Sequence, residues 1–313
     1  MKYPPHQFLS FHAHLLAALV LFLCLIPPPA MALTSQDDFS RATILVSRYI
    51  KPYMEALGGL RRSLDEHADL QQSVFIMEQQ DLEQPANLER KVSASDPDLF
   101  ISIGPEATRL GWSMDIEALQ VYTMVLNPES LANEHIEPGC GVSLYIPPST
   151  QIRDIRQVLP GIKSIGILFD PEFNTPLFQE AKVIGRFIGL ELVPLEVSSR
   201  EEIPEALQSG WRKIDALWLV PDRTVSSQTL IEYIIKEALH HKKPVVGYNR
   251  FFYDSGAAAA FVLDFEKIGK QTADLAIDLM QSLPCKEILP AYEIILNDRV
   301  LKSLGITLPE RNQ

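Results

Sequence analysis

The sequence predicts an α/β protein carrying two parallel sheets, and three observations predict it. Short β-branched runs alternate with longer stretches of helical spacing. The runs are apolar almost throughout, as strands covered on both faces must be. The alternation breaks at a loop rich in Pro, Gly and Asn, Asn127 to Gly141, and restarts at Lys163, so the pattern occurs twice. With 313 residues, 46% of them apolar, the chain can offset its conformational entropy and fill two domains.

Before the first strand comes a leader. Met1 to Ala32 carries one charge, Lys2. Its apolar run, Leu15 to Ile26, is shorter than the ~20 residues that cross a bilayer. Pro27, Pro28 and Pro29 end the run, and Ala30-Met31-Ala32 offers a small-x-small cleavage signal. Residues 1–32 therefore read as a signal peptide cut near Leu33, which sends the protein to the periplasm; an uncleaved anchor is the alternative. Cys24 follows Leu21-Phe22-Leu23, which lacks the small residue of a lipidation site.

In the first half, strands are expected at Ala42–Ser47, Ser73–Met77, Asp98–Ile103 and Val121–Leu126, with helices from Pro52 to Glu66 and from Ala86 to Ala94. In the second half, strands are expected at Lys163–Phe169, Leu190–Val197, Ile214–Val220 and Pro244–Tyr248. Helices from Pro176 to Gly189, Glu201 to Gly210 and Val225 to His241 separate them, with Gly189 as a C-cap. The last piece is a strand at Phe261–Asp264, a helix over 266–282, a strand at Tyr292–Leu296 and a short helix ending at Leu304-Gly305. It is too small to fold alone, so the chain crosses between its halves more than once. The change of domain is placed between Gly141 and Pro148. Cys140 and Cys285 stand far apart, and the sequence leaves open whether they pair or stay as separate thiols.

Several classes of chemistry are excluded. Asp and Glu number 40 against 28 Lys and Arg, a net charge of −12, so no basic face is available for nucleic acid. His67, His135, His240 and His241 form no metal-ligand array, and His240 and His241 end a helix, where cations suit the dipole. No P-loop, G-x-S-x-G elbow or G-x-G-x-x-G after a strand is present, and Gly58-Gly59 falls inside a helical pattern. The expectation is a protein that is not an enzyme, with no catalytic residue, metal or cofactor.

In parallel α/β sheets, ligands bind beyond the carboxyl ends of the strands. The first strand leads into Ser47 and Arg48, and the third into Gly104 and Pro105, where free N–H groups at a helix start suit a carboxylate. Glu106 opposes an anion there unless it turns away. Asn127 follows the fourth strand. In the second half, Asp170 leads to Asn174 and Thr175, read as helix caps. Asp222, Arg223 and Thr224 follow Val220, with Arg223 suited to clamping a carboxylate or pairing with Asp222. Tyr248 and Asn249 are the cleft-facing members of an aromatic cluster that ends at Tyr253.

These segments in order resemble the ABC transporter substrate-binding protein family of the tryptophan/tyrosine-uptake type. The resemblance rests on Leu159-Pro160-Gly161 through Asp170-Pro171, on Val220-Pro221-Asp222-Arg223-Thr224-Val225, and on Gly256 to Ala260 followed by Leu263-Asp264-Phe265 and Ile268-Gly269. The ending Ile294 to Asn297, Leu304-Gly305-Ile306 and Leu308-Pro309 completes it. The resemblance implies the type I periplasmic binding protein fold, with two Rossmann-like lobes joined by a multi-strand hinge and a ligand in the cleft. It implies an N-terminal lobe of residues 40–143 plus 262–288 and a C-terminal lobe of 144–261 plus 289–313. Asp264 joins the ligand-binding set as the point where the chain returns to the first lobe. The implied function is capture of a small polar molecule, an amino acid or other small carboxylate, by hinge closure, and its delivery as a monomer to an inner-membrane ABC permease. A sensing or outer-membrane-uptake accessory role uses the same cleft, and an exported enzyme is the remaining alternative. The chain departs from the family at Ser47-Arg48-Tyr49, where a His-Pro-x-Leu-Asp-like stretch is usual. It also departs at Glu106, where a small residue is preferred, at Asn127, which replaces an Asp, and at Arg223, which replaces an Asn.

Overall fold

A computed structural model describes residues 40–132 and 139–306, which belong to one compact unit. The expected leader, His135 and the Leu308-Pro309 close lie outside the described residues. The first half holds β1 (Arg41–Val46), α1 (Lys51–His67), β2 (Gln71–Ile76), α2 (Gln79–Glu83), α3 (Ala86–Ala94), β3 (Leu99–Ile103), α4 (Pro105–Ser113), β4 (Leu119–Val125) and β5 (Cys140–Ser143). The second holds α5 (Pro148–Val158), β6 (Ser164–Phe169), α6 (Pro171–Phe187), β7 (Glu191–Glu196), α7 (Ile203–Gly210), β8 (Ala216–Leu219), α8 (Gln228–His240), β9 (Val245–Gly247) and α9 (Arg250–Asp254). β10 (Ala259–Leu263), α10 (Phe265–Met280), β11 (Tyr292–Leu296) and α11 (Asp298–Ser303) complete the chain.

The strands form two sheets, ordered β2-β1-β3-β4-β5 and β11-β10-β9-β8-β6-β7. Every pairing is parallel except β10 with β11. Strand periodicity divides each sheet between two cores. Ile44, Val46, Ile101 and Ile103 face Leu60 and Leu64 of α1 and Ile268 and Ala273 of α10. Leu45 and Phe100 face the other way, onto Leu88 and Val92 of α3 and Leu110 of α4. In the second sheet, Ile165, Ile167, Phe169 and Trp218 pack with Ile152, Ile155 and Phe178, whereas Leu168, Leu217 and Leu219 meet Ile203, Leu207, Ile231 and Ile235.

Both sheets use the same lock at their amino ends. Asp98, just before β3, accepts hydrogen bonds from the N–H groups of Ser40 and Arg41, both at 2.9 Å. Asp215, just before β8, accepts from Lys163 (2.8 Å) and Ser164 (3.0 Å) at the start of β6. Each carboxylate ties neighbouring parallel strands together and satisfies donors that open the sheet. The two halves thus repeat a structural solution that the sequence carries only as one aspartate before each strand.

The chain returns to the first sheet after β10. α10 lies so close to α1 that a Cβ on Gly59 falls 2.0 Å from the Glu266 carbonyl oxygen, and one on Gly269 falls 1.9 Å from that of Ala56. Only glycine lets the two backbones approach this far. The segment after α10 runs beside β5, where Cys285 is joined to Cys140 in a disulfide with Cα atoms 5.9 Å apart.

The structure departs from the sequence expectations in several elements. The helix expected from Pro176 starts at Pro171 and runs through Pro176, because Asp170 rather than Asn174 or Thr175 caps it. α2, β5, α5 and α9 have no counterpart among those expectations. β4 also carries a bulge, with Met124 at φ +61° and the pairing to β5 shifted between Thr123 and Val125.

Candidate functional site

The carboxyl ends of the first sheet gather a polar cluster. Ser47 is buried, and its hydroxyl accepts a hydrogen bond from the Ala107 N–H at 2.9 Å. The Gly104 N–H is bonded to the Thr123 carbonyl at 2.9 Å, and the Thr108 N–H to the Gly104 carbonyl at 3.1 Å. Pro105 has no N–H to give. Ala107 and Thr108 at the start of α4 are thus satisfied by the protein itself, which leaves the Glu106 N–H as the donor there without an acceptor among the described residues. Gly104 takes φ +93°, and a Cβ there would lie 2.7 Å from the Ser47 hydroxyl and 2.8 Å from the Tyr53 ring. Arg48 forms an ion pair with Glu106, whose second oxygen, Oε2, is buried without a partner. Burial pushes the Tyr53 phenol up, and the Glu106 charge adds to this while Arg48 opposes it.

The second sheet ends in a denser network. Arg223 donates to Asp170 and Glu172, both at 2.7 Å, rather than pairing with Asp222. Its guanidinium also lies 3.9 Å from the centre of the Phe173 ring. Asp170 is buried and caps α6 through the Glu172 N–H at 3.0 Å. Asp222 accepts from the Asp170 N–H, from Asn174 Nδ2 and from the Thr224 N–H, all at 2.8 Å, and from the Thr224 hydroxyl at 2.6 Å. Burial alone would raise the Asp222 carboxyl, but these bonds outweigh it and hold the group below its ordinary range. Burial raises the Tyr248 phenol, and the charge of Asp222 adds to the effect.

The other expected residues serve local structure. Thr175 donates back to the Pro171 carbonyl at 2.6 Å within its own helix. Asn249 caps α9 through the Phe251 N–H at 3.0 Å, and Asn127 accepts from Ser130 N–H at 3.3 Å in a short turn. Asp264 stands where β10 passes into α10, accepting from the Lys267 N–H (3.0 Å) and pairing with its ammonium (2.8 Å).

A cavity of about 740 Å³ opens between the two sheets. Tyr122, Asn127, Ser143 and Tyr145 line it from the first half and its outgoing crossover, Phe173, Asn174 and Pro221 from the second, and Cys285 to Ile288 from the returning segment. Of the expected residues it gathers Asn127 and Asn174; the Ser47–Arg48–Gly104 group and the Arg223 network occupy neighbouring strand ends outside its lining. Burial pushes the phenols of Tyr122 and Tyr145 up to about 12, with nearby glutamates adding to it, so both are neutral hydrogen-bond donors at pH 7. Among the described residues, no side-chain hydrogen bond or ion pair joins Arg48 or Glu106 to the Asp170–Arg223 network. Phe173, Tyr145 and the 285–288 segment were missed by sequence reasoning. Phe173, an aromatic among polar loop residues, carried a signal; the returning segment carried none, since a distant disulfide positions it.

A family profile described as ABC transporter substrate binding protein matches residues 53–312. The chain is 24% identical over 243 residues to a tyrosine-binding protein from Clostridioides difficile (strain R20291), covering 74% of this chain and 70% of the relative. It is also similar to the ligand-free, open structure of a Clostridium difficile substrate binding protein with adhesive properties. There the TM-score is 0.71 at 19% identity, over 87% of this chain and 97% of that one. A Streptococcus pneumonia ABC domain in complex with L-Trp aligns with a TM-score of 0.56 at 19% identity, over 87% and 96% of the two chains. The shared fold is that of type I periplasmic binding proteins.

Proposed function

Because the chain belongs to the ABC transporter substrate binding protein family, we propose that it captures a small amino acid-like solute between its two sheets and delivers it to an ABC permease. The observation that carries this reading is the cavity of about 740 Å³ whose walls come from both halves. The names of the tyrosine-binding relative and of the L-Trp complex support an amino acid as the ligand class. Residues 40–143 with 262–288 form one lobe and 144–261 with 289–306 the other. Three chain crossings, after β5, after β10 and before β11, make the hinge. Rotation about it brings Arg48, Glu106 and Asn127 toward Phe173, Asn174, Arg223 and Tyr248, and contacts from both lobes favour the closed state. The leader read at residues 1–32 supports capture in the periplasm, and the need for a free hinge supports a monomer as the binding unit.

A melting screen of amino acids, small carboxylates, nucleosides and sugars tests the reading. A ligand at 100 times its dissociation constant stabilises the protein by about 2.7 kcal/mol. At least one amino acid should raise the melting temperature; a panel with no stabilising compound contradicts solute capture.

A further inference from the structure

The two sheets begin in surroundings of opposite charge. At the amino edge of the first sheet stand Asp69, Asp96, Asp115 and Glu117, all exposed. At the amino edge of the second, Lys163 precedes β6, Arg212 and Lys213 precede β8, and Lys242 and Lys243 precede β9. β9, β8 and β6 are parallel neighbours about 5 Å apart, so these cations share one rim. The backbone knits the rim together. The Asp215 N–H donates to the Ser164 carbonyl at 3.0 Å, and the Leu217 N–H to the Pro244 carbonyl at 2.9 Å. The rings of Trp211 and His241 stack across it with centres 5.2 Å apart. α6 ends at the same rim, since the Glu191 N–H just beyond it donates to the Lys163 carbonyl at 2.9 Å, and this adds Arg186. Among the described residues, none of these six cations takes part in an ion pair. The carboxylates nearest them along the chain are Glu191, Asp215 and Glu237, and Asp215 is already bonded to the Lys163 and Ser164 N–H groups. A basic rim thus stands on a chain of net charge −12.

The same end of α6 carries Phe187, which is 84% exposed, with Val183 one turn earlier at 52%. An acidic polypeptide would pair with the cations and leave this ring in water. A lipid surface takes both, phosphates against the cations and the ring at the acyl boundary. We propose that this rim docks on an anionic phospholipid bilayer, with the cations against the headgroup phosphates and Phe187 inserted between them. The acidic rim of the first sheet is repelled by the same surface, which orients the molecule. The solute cavity is lined from the opposite ends of the strands, by Asn127, Asn174 and Pro221, so a docked molecule keeps it free to load. The inference goes beyond solute capture and does not depend on which solute is bound.

Co-sedimentation of the mature chain, residues 33–313, with large vesicles tests this; the apolar run Leu15–Ile26 is left out because it would bind lipid by itself. Wild type should sediment with phosphatidylcholine vesicles containing about one-third phosphatidylglycerol and stay in solution with phosphatidylcholine alone. It should be released as salt approaches about 0.5 M. R212Q/K213Q removes two cations, at roughly fivefold each, and should weaken binding by roughly 30-fold. K242Q/K243Q should do the same, and supplies the reading if the first variant does not fold. F187S should weaken binding by roughly 10-fold with the charge intact. K91Q/K270Q, which makes the same change of charge on α3 and α10, should bind as wild type does. Wild type that ignores the anionic vesicles, or rim variants that bind them unchanged, overturns the proposal. Binding to polyaspartate with none to vesicles overturns the lipid assignment in favour of an acidic protein. Each of these outcomes leaves solute capture standing.

Discussion

Two adjacent glycines on α1 should respond in opposite directions to the same substitution. A Cβ on Gly59 meets the Glu266 carbonyl oxygen at 2.0 Å and its carbon at 2.9 Å, both backbone atoms of α10. Ordinary contact lies near ~3.5 Å, so the helices must part by about 1.5 Å. Overpacking of this kind costs about 1–3 kcal/mol, and separating the helices also loosens Leu60 and Ile268. Alanine recovers up to ~1 kcal/mol in helix propensity, so Gly59→Ala should lose about 2 kcal/mol net. A Cβ on Gly58 meets only the flexible Arg62 guanidinium, at 3.4 Å, so Gly58→Ala should gain about 0.5–1 kcal/mol. Urea denaturation of both variants reads the difference of about 3 kcal/mol directly. If both substitutions stabilise, α10 does not dock on α1, and the return of the chain to the first sheet is wrong.

The remaining predictions are briefer. The disulfide closes a separation of 145 residues, so Cys140→Ser should cost about 2–5 kcal/mol and make denaturation insensitive to reductant; equal midpoints for wild type with and without reductant contradict this. Asp98, Asp215, Asp222 and Asp264 all sit below the ordinary carboxylate range. The unfolded chain binds more protons than the native one between those depressed values and the ordinary ~4. Their stabilisation is thus fully present above about pH 5 and lost as pH falls through the folded values. Asp215→Asn should lower stability at pH 7 and flatten the acid branch of a pH–stability curve; an unchanged branch rules out the strand lock as its source. Arg223→Ala leaves the buried Asp170 carboxylate without its cation and should lower the melting temperature of the ligand-free protein. An unaltered melting temperature would mean that the ion pair does not hold this loop.

Much of the architecture was legible in the sequence because it is local. Ile44-Leu45-Val46 and Ile165 to Phe169 announce buried strands by composition, and Gly189 takes the left-handed φ of +70° that its position after a helix requires. β5 escaped notice because Cys-Gly-Val-Ser has no β-branched run, and its place is fixed by pairing with β4. Pro176 read as a helix start, yet a side chain at Asp170 had already capped the helix six residues earlier. The site was legible as positions and largely illegible as contacts. Arg223 was visible as a cation past a strand, but its partners Asp170 and Glu172 lie 53 and 51 residues away. Arg48 and Glu106 are separated by 58 residues and meet because β1 and β3 are neighbours, which no local pattern encodes. Strand order decides which loops share a rim, and strand order is a property of the whole sheet.

Small-angle X-ray scattering with and without the compound that raises the melting temperature tests most directly whether the two lobes close on a solute. The account predicts a smaller radius of gyration at saturation, from hinge rotation that brings the Arg48–Glu106 rim toward the Asp170–Arg223 network. Saturating ligand with scattering identical to that of the free protein would contradict closure as the means of capture.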